Sequence, residues 1–267
     1  YEAADAPTTN IRLGFECAGV VTAVGNGISD VQVGDRVLAM TPAGSLASFV
    51  TTSAQSTVPI PDGLSFADAA TLPVVFATAV YGLHWLTQLQ PGERILIHAA
   101  AGGVGQAAVQ LALAAGAEVF ATASPAKWEF LRQQGIQHIF NSRTLDFADQ
   151  VLAATDGRGV DVVLNSLNGD FIPQSFAALA QGGRFVEIGK VGIWDTEDAQ
   201  QHRPDAVYLP FDLGEEQERR GISLRDVLTP LMAQFSAGAL QPLPQTAFPV
   251  TRIQEAFRFM QQARHIG

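Results

Sequence analysis

Gly102, Gly103 and Gly105 follow the apolar, β-prone run Arg94-Ile95-Leu96-Ile97-His98 and open the helix-forming stretch Val104-Gly105-Gln106-Ala107-Ala108. That order makes an anion site. A helix N-terminus carries unpaired N–H groups and partial positive charge, and it can hold a pyrophosphate. The glycines let the backbone turn tightly and approach a ligand with no Cβ in the way. Many glycine turns only join a strand to a helix. Here a second strand expected at 118–123 completes the arrangement of a dinucleotide-binding unit, with Gly102, Gly103, Val104 and Gly105 as its phosphate turn.

The end of that second strand bears on which dinucleotide binds. An Asp or Glu there accepts from a ribose 2′-hydroxyl. The run Glu118-Val119-Phe120-Ala121-Thr122-Ala123 ends without an acid and continues into Ser124-Pro125-Ala126-Lys127; Asn141-Ser142-Arg143 follows the next short strand. A hydroxyl, an ammonium and a guanidinium suit a phosphate dianion. The plainer alternative leaves Lys127 and Arg143 as solvated surface charges. Their placement after the strands favours the 2′-phosphate of NADPH, held by Ser124, Lys127 and Arg143.

Two charged residues stand at further strand ends. Lys190 follows Phe185-Val186-Glu187-Ile188-Gly189, and Asp212 follows Tyr208-Leu209-Pro210-Phe211. Open α/β sheets place their ligands outside the carboxyl ends of the strands. The pair is therefore either catalytic or a plain salt bridge. Asn165, Ser166 and Leu167 follow another strand end and are expected, with Gly189, to line the nicotinamide half of a cofactor site. Phe76, Tyr81 and Trp85, at a domain junction, read first as packing of helix against strand; the alternative has Phe76 and Thr78 lining the nicotinamide end of a cleft. Asp195, Glu197 and Asp198 read as a solvated loop, and His98 as a packed, hydrogen-bonded residue.

The elements that must carry these residues fall into two groups. Residues 11–60 look all-β, with short strands at 20–24, 36–40 and 48–52 separated by Gly25-Asn26-Gly27 and Val33-Gly34-Asp35 turns. Ser65 caps a helix, with Asp68 three residues on. From about Ala77 strands and helices alternate. Strands are expected at 94–99, 118–123, 137–140, 160–164, 183–188 and 206–209, with helices at 103–115, 125–134, 144–153 and 171–180. Such alternation implies an α/β fold with a parallel sheet covered on both faces. A linker at 241–244, a short strand and a helix at 252–263 close the chain.

Composition sets bounds. The 267 residues are 47% hydrophobic, enough for a sizeable core, and the net charge is −10, from Lys+Arg 16 against Asp+Glu 26. With no long basic run, neither nucleic acid nor an anionic membrane is an expected partner. An acidic carrier protein would need a local basic patch to dock. The single cysteine, Cys17, excludes an internal disulfide and a multi-cysteine zinc site and fits a reducing, cytoplasmic compartment. No apolar run approaches a membrane span. The start without Met and the abrupt end read as a piece of a longer polypeptide.

The motifs Gly14-Phe15-Glu16-Cys17-Ala18-Gly19-Val20-Val21, Val33-Gly34-Asp35-Arg36-Val37, Ala100-Ala101-Gly102-Gly103-Val104-Gly105, Val162-Val163-Leu164-Asn165-Ser166-Leu167 and the final run from Phe257 to Gly267 resemble one family. They are similar to the enoyl reductase domains of modular polyketide synthases and animal fatty acid synthase, in the medium-chain dehydrogenase/reductase superfamily. The resemblance covers nearly the whole chain. It implies a doubly wound Rossmann sheet inserted into a GroES-like β domain. The β domain would comprise 1–76 and 242–267, without its first strands and its last, and the NADPH-binding domain 77–241. Zinc members of the superfamily carry a His where this chain has Phe15, and the five histidines offer no ligand spacing, so no metal is expected.

The resemblance also implies chemistry. NADPH would deliver hydride to Cβ of an enoyl thioester on an acyl carrier protein, beside neighbouring synthase domains. Lys190 and Asp212 match the family's candidate catalytic Lys and Asp. Lys190 would stabilise the enolate oxygen, and Asp212 would orient Lys190 or donate itself if protonated. Some relatives have an N-terminal Tyr that biases protonation; Tyr1 reads instead as an ordinary surface residue. Three alternatives stay open: reductive cyclopropanation of a γ-halo enoyl thioester, a free-standing NADPH quinone or enone reductase, and an NADPH-holding protein without turnover.

Overall fold

The computed structural model describes residues 13–263 and 265–267, so Tyr1 lies outside the described residues. Six parallel strands form the larger sheet: β4 (Arg94–Ile97), β5 (Glu118–Ala123), β6 (His138–Asn141), β7 (Val160–Asn165), β8 (Leu179–Glu187) and β9 (Val207–Pro210), in the order β6-β5-β4-β7-β8-β9. The chain winds outward from β4 to β6, returns to the other side of β4, and winds outward again to β9. The order reverses between β4 and β7, where open α/β sheets bind ligands.

Both faces of this sheet are covered, and the period-2 alternation of strand side chains divides the core accordingly. Ile95, Ile97, Val162 and Leu164 pack in one cluster with α2 (Pro73–Val80), α3 (Gly103–Ala114) and α9 (Leu224–Ser236). Leu96, Phe120, Val163 and Phe185 pack in the other with α5 (Phe147–Ala154), α6 (Phe171–Ala177) and α7 (Thr196–His202). The remaining helices are α1 (Phe66–Ala69), α4 (Trp128–Gln133), α8 (Leu213–Arg220) and α10 (Ile253–Gln261). Among the described residues no helix is long and apolar enough to cross a membrane.

The smaller sheet is antiparallel: β1 (Glu16–Val20), β2 (Arg36–Met40) and β3 (Thr57–Pro59), in that order. It rests against the larger unit through α9, whose Arg225 donates to the Thr57 carbonyl at 3.2 Å and to Asp30 at 3.1 Å. Between the units, α2 continues into a π-helical segment, Tyr81–Leu86.

Several expectations require correction. The strand expected at 20–24 occupies 16–20; one further backbone pair joins Val21 to Gly34 and Asp35 before the Gly25–Gly27 turn diverts the chain. Residues 48–52 form no strand. Their recorded tie to β2 is a side-chain bond, Thr52 Oγ1 to the Met40 carbonyl at 2.8 Å, and no backbone ladder forms. Residues 245–249 form none either, between prolines at 244 and 249 that supply no N–H. The loop at 195–198 is a helix start, since Asp195 caps α7 by accepting from the Asp198 N–H at 2.8 Å. The Ser65 cap forms as expected, accepting from the Asp68 N–H at 3.1 Å.

Candidate active site

The turns after β4, β5, β6, β7, β8 and β9 share the carboxyl edge of the sheet, since all six strands are parallel. They bring the glycine turn, Ser124, Lys127, Arg143, Asn165, Lys190 and Asp212 to one edge. After β4 the ladder runs on through His98 N–H to the Leu164 carbonyl (3.1 Å) and Ala100 N–H to the Thr122 carbonyl (3.0 Å). Ala99 sits between them at φ 48°. Gly102 then takes the N-cap position of α3 with extended φ and ψ, and no side chain caps the helix. The free N–H groups of the first turn, Gly103 and Val104 among them, form a cradle that fits the pyrophosphate of a nicotinamide dinucleotide.

Lys127 and Arg143 come together beyond β5 and β6. Desolvation, followed by the charge of Arg143, holds the Lys127 pKa below the usual lysine value. The Lys127 ammonium donates to the His265 carbonyl at 2.6 Å, and neither cation has a salt-bridge partner among the described residues. Ser124 begins the short 3₁₀ turn Pro125–Lys127 with its hydroxyl uncommitted to a cap.

Lys190 donates to Asp212 Oδ2 in a short salt bridge, both side chains partly exposed (49% and 38%). The other Asp212 oxygen caps α8 by accepting from the Glu215 N–H at 3.0 Å. Burial pushes the Asp212 pKa up, but hydrogen bonds from Lys190 and Glu215 outweigh it and hold the carboxyl below the usual aspartate value. The group is ionised at neutral pH. One turn on, Glu216 accepts a short hydrogen bond from the buried Tyr81 hydroxyl, which pins α8 to the π-helical segment. Desolvation and Glu216 raise the Tyr81 pKa to about 12.

Other expected site residues have internal duties. Asn165 is fully buried; its Nδ2 donates to the Leu167 carbonyl (2.8 Å) and to Glu187 Oε2 (2.6 Å), and its Oδ1 accepts from the Leu167 N–H (3.2 Å). Its polar atoms shape the turn, while Ser166 is exposed and Leu167 partly so. The buried Thr78 hydroxyl donates to the Val74 carbonyl at 2.7 Å, and Phe76 packs edge-on against Phe235. His98 lies buried between Thr122 Oγ1 (3.0 Å) and Ser175 Oγ (2.8 Å), and desolvation lowers its pKa to about 3.

A zinc ion does not fit these donors. Among the described residues no group of three or more His, Cys, Asp and Glu side chains stands together. Phe15 is largely exposed beside Glu16, whose carboxylate accepts from the Val74 N–H at 2.8 Å instead.

Sequence reasoning missed Glu187, Tyr81 and Glu216 as parts of this site. Only an acid at the end of the apolar run Phe185-Val186-Glu187 could have signalled the first.

Two families of known proteins match parts of the chain. Residues 1–62 match the alcohol dehydrogenase GroES-like domain family, and residues 103–208 match the zinc-binding dehydrogenase family. The chain is 47% identical over 257 residues to the pikromycin polyketide synthase component PikAII of Streptomyces venezuelae, covering 96% of this chain but 7% of that protein. It thus spans a small fraction of the curated relatives it matches. Among solved structures, the CurK enoyl reductase is 56% identical with a TM-score of 0.93, covering 96% of this chain and 77% of that one. The CurF ER cyclopropanase from the curacin A biosynthetic pathway is 48% identical with a TM-score of 0.91, covering 96% and 76%.

Proposed function

Because the chain belongs to the enoyl reductases of polyketide synthases, an oxidoreductase branch of the medium-chain dehydrogenase/reductase superfamily, we propose that it reduces the α,β double bond of an enoyl thioester presented by an acyl carrier protein, using NADPH. The observation that carries this reading is the Lys190–Asp212 pair on the same sheet edge as the glycine cradle.

The α3 N-terminus with Gly102, Gly103 and Val104 would hold the pyrophosphate, and Ser124, Lys127 and Arg143 the 2′-phosphate. Gly189, Thr78 and the Asn165-Ser166-Leu167 turn would flank the nicotinamide half. The cofactor supplies a hydride for Cβ when bound. Lys190 has three N–H donors, of which one is engaged by Asp212. The others are available to the thioester oxygen, where negative charge develops. Ionised Asp212 holds Lys190 in place rather than donating a proton. Protonation at Cα then completes the reduction. Cyclopropanation differs in the fate of the enolate, which expels a γ-halide instead of taking a proton.

The test is turnover of crotonyl and γ-chlorocrotonyl thioesters by the full-length protein, with product identification. We expect the saturated thioester from the first, and Lys190→Met to lower kcat about 10²–10³-fold while NADPH affinity holds. Wild-type turnover in that variant would remove Lys190 from the chemistry.

A further inference from the structure

Glu187 is the last residue of β8, fully buried and in register with Asn165 of β7 and Pro210 of β9. Its two oxygens hold two different turns. Oε2 accepts from Asn165 Nδ2 at 2.6 Å, and Asn165 in turn closes the 165–167 turn. Oε1 accepts from the Gly189 N–H at 2.6 Å, one residue before Lys190. The fit is tight: a Cβ on Gly189 would lie 2.8 Å from Glu187 Oε1 and 2.8 Å from Ile193 Cγ2. The Glu187 carbonyl also accepts from the Phe211 N–H at 3.1 Å, one residue before Asp212. A single residue therefore grips the chain immediately before both members of the Lys190–Asp212 pair.

A buried carboxylate is a costly way to fill a core position that an apolar side chain would fill without desolvation cost. What an apolar side chain lacks is two acceptors aimed at two separate turns. We propose that Glu187 is a positioning residue whose carboxylate clamps the Asn165 turn to the Gly189 turn and so fixes where the Lys190 ammonium stands over the cleft. The inference rests on the reading of Lys190 given above.

The clamp needs the ionised form, because a protonated carboxyl turns one acceptor into a donor that faces an N–H. Burial raises the Glu187 pKa to about 7, against hydrogen bonds from Asn165, Gly189 and Ile188 that lower it. Beside it are neutral Asn165 on β7 and, within reach of its charge, Tyr208 on β9; Lys190 follows in its own turn, paired with Asp212 at the start of α8. Desolvation, then Glu187 and Asp195, push the Tyr208 phenol well above its ordinary value, so it stays protonated near neutral pH. Asp212 stays ionised there.

Activity and stability then depend on pH with opposite signs. Ionised Glu187 supports turnover, so kcat falls as pH drops through about 7. The folded pKa lies above the ordinary 4.5, so the folded state binds the proton more tightly than the unfolded chain. The stability this brings is full below 4.5 and lost as pH rises through about 7. A Glu187 that only stabilised the fold would give the same stability profile with no fall in kcat as pH drops through about 7.

The experiment uses the full-length protein with Glu187→Gln, Lys190→Met and the double variant, assayed with NADPH and a crotonyl thioester across this pH range, alongside NADPH affinity and thermal midpoints. Glu187→Gln sets an amide donor against one of the two N–H groups. We expect it to lower kcat about 10- to 100-fold, by more than it weakens NADPH binding, to flatten both pH profiles, and to cost no further turnover in the Lys190→Met background, as expected of groups acting as one unit. Wild-type turnover in Glu187→Gln, or an equal loss with and without Lys190, would overturn the inference alone. Normal turnover in Lys190→Met would overturn the reading beneath it and the inference together. If Glu187→Gln does not fold, the wild-type pH profile decides: a kcat that does not fall as pH drops through about 7 counts against the clamp.

Discussion

Lys127 and Arg143 repel each other across the turns after β5 and β6, and no carboxylate relieves them among the described residues. Two cations held together without a counterion destabilise the unliganded protein slightly and favour a dianion. Each hydrogen bond to a charged group contributes about 1.5–3 kcal/mol. Lys127→Ala with Arg143→Ala should therefore weaken NADPH binding by at least about 100-fold and leave NADH affinity nearly unchanged. Isothermal titration of both cofactors checks this, and equal losses for the two would refute the assignment. The proximity of the two bases was readable in the sequence, because each directly follows one of two consecutive strands in the alternating pattern. Glu187 was not, because nothing in Phe185-Val186-Glu187 says that Asn165, on another strand, lies beside it. A buried acid becomes visible only when the register of β7 and β8 is known.

The elements follow the same logic of local against distant information. The strand–turn–helix at 94–114 was legible because its glycines have one tight purpose each. Gly105 shows this in space: a Cβ there would lie 2.4 Å from the Ala99 carbonyl oxygen and 2.7 Å from the Ala100 Cα. These are backbone atoms, fixed by the ladder bonds at His98 and Ala100, so they cannot move aside as a side chain would. Gly105→Ala should push α3 away from the turn, cost about 1–3 kcal/mol as an overpacked site, and weaken NADPH binding beyond that cost in stability. Denaturant unfolding with cofactor titration measures both; unchanged affinity would show that the turn does not shape the cradle. The π-helical segment at 81–86 and α7 left weaker traces. The first is tied to α8 by Tyr81 reaching Glu216 across 135 positions of sequence, and the second rests on an Asp-capped polar stretch that reads equally well as a loop.

At the scale of the whole molecule, the antiparallel unit depends on its neighbour. Among the described residues its buried apolar side chains are few, chiefly Val37, Leu38, Ala39, Val58 and Ile60, while Phe15, Val33, Leu46 and Phe49 are exposed. A three-stranded sheet with so small a core needs packing from elsewhere to be stable. Arg225 supplies a polar part of it, reaching from α9 to the Thr57 carbonyl (3.2 Å), the Thr57 hydroxyl (3.3 Å) and Asp30 (3.1 Å). Thr57 opens β3, so the guanidinium grips the strand that lies against α9. The pair with Asp30 is partly exposed and contributes little by itself; the bonds to Thr57 carry more, because Thr57 is buried. Arg225→Ala should leave the larger sheet intact and loosen the smaller one by about 1–3 kcal/mol. Amide hydrogen exchange reads this by region. Exchange at Val37, Leu38 and Val58 should accelerate by about 5- to 150-fold, the equivalent of that free energy, while Ile95, Leu96 and Val163 keep their rates. Acceleration in both sheets alike would mean that the two unfold as one cooperative unit, with Arg225 serving the whole rather than the joint. An unchanged small sheet would mean that α2 and α9 hold it by apolar packing alone.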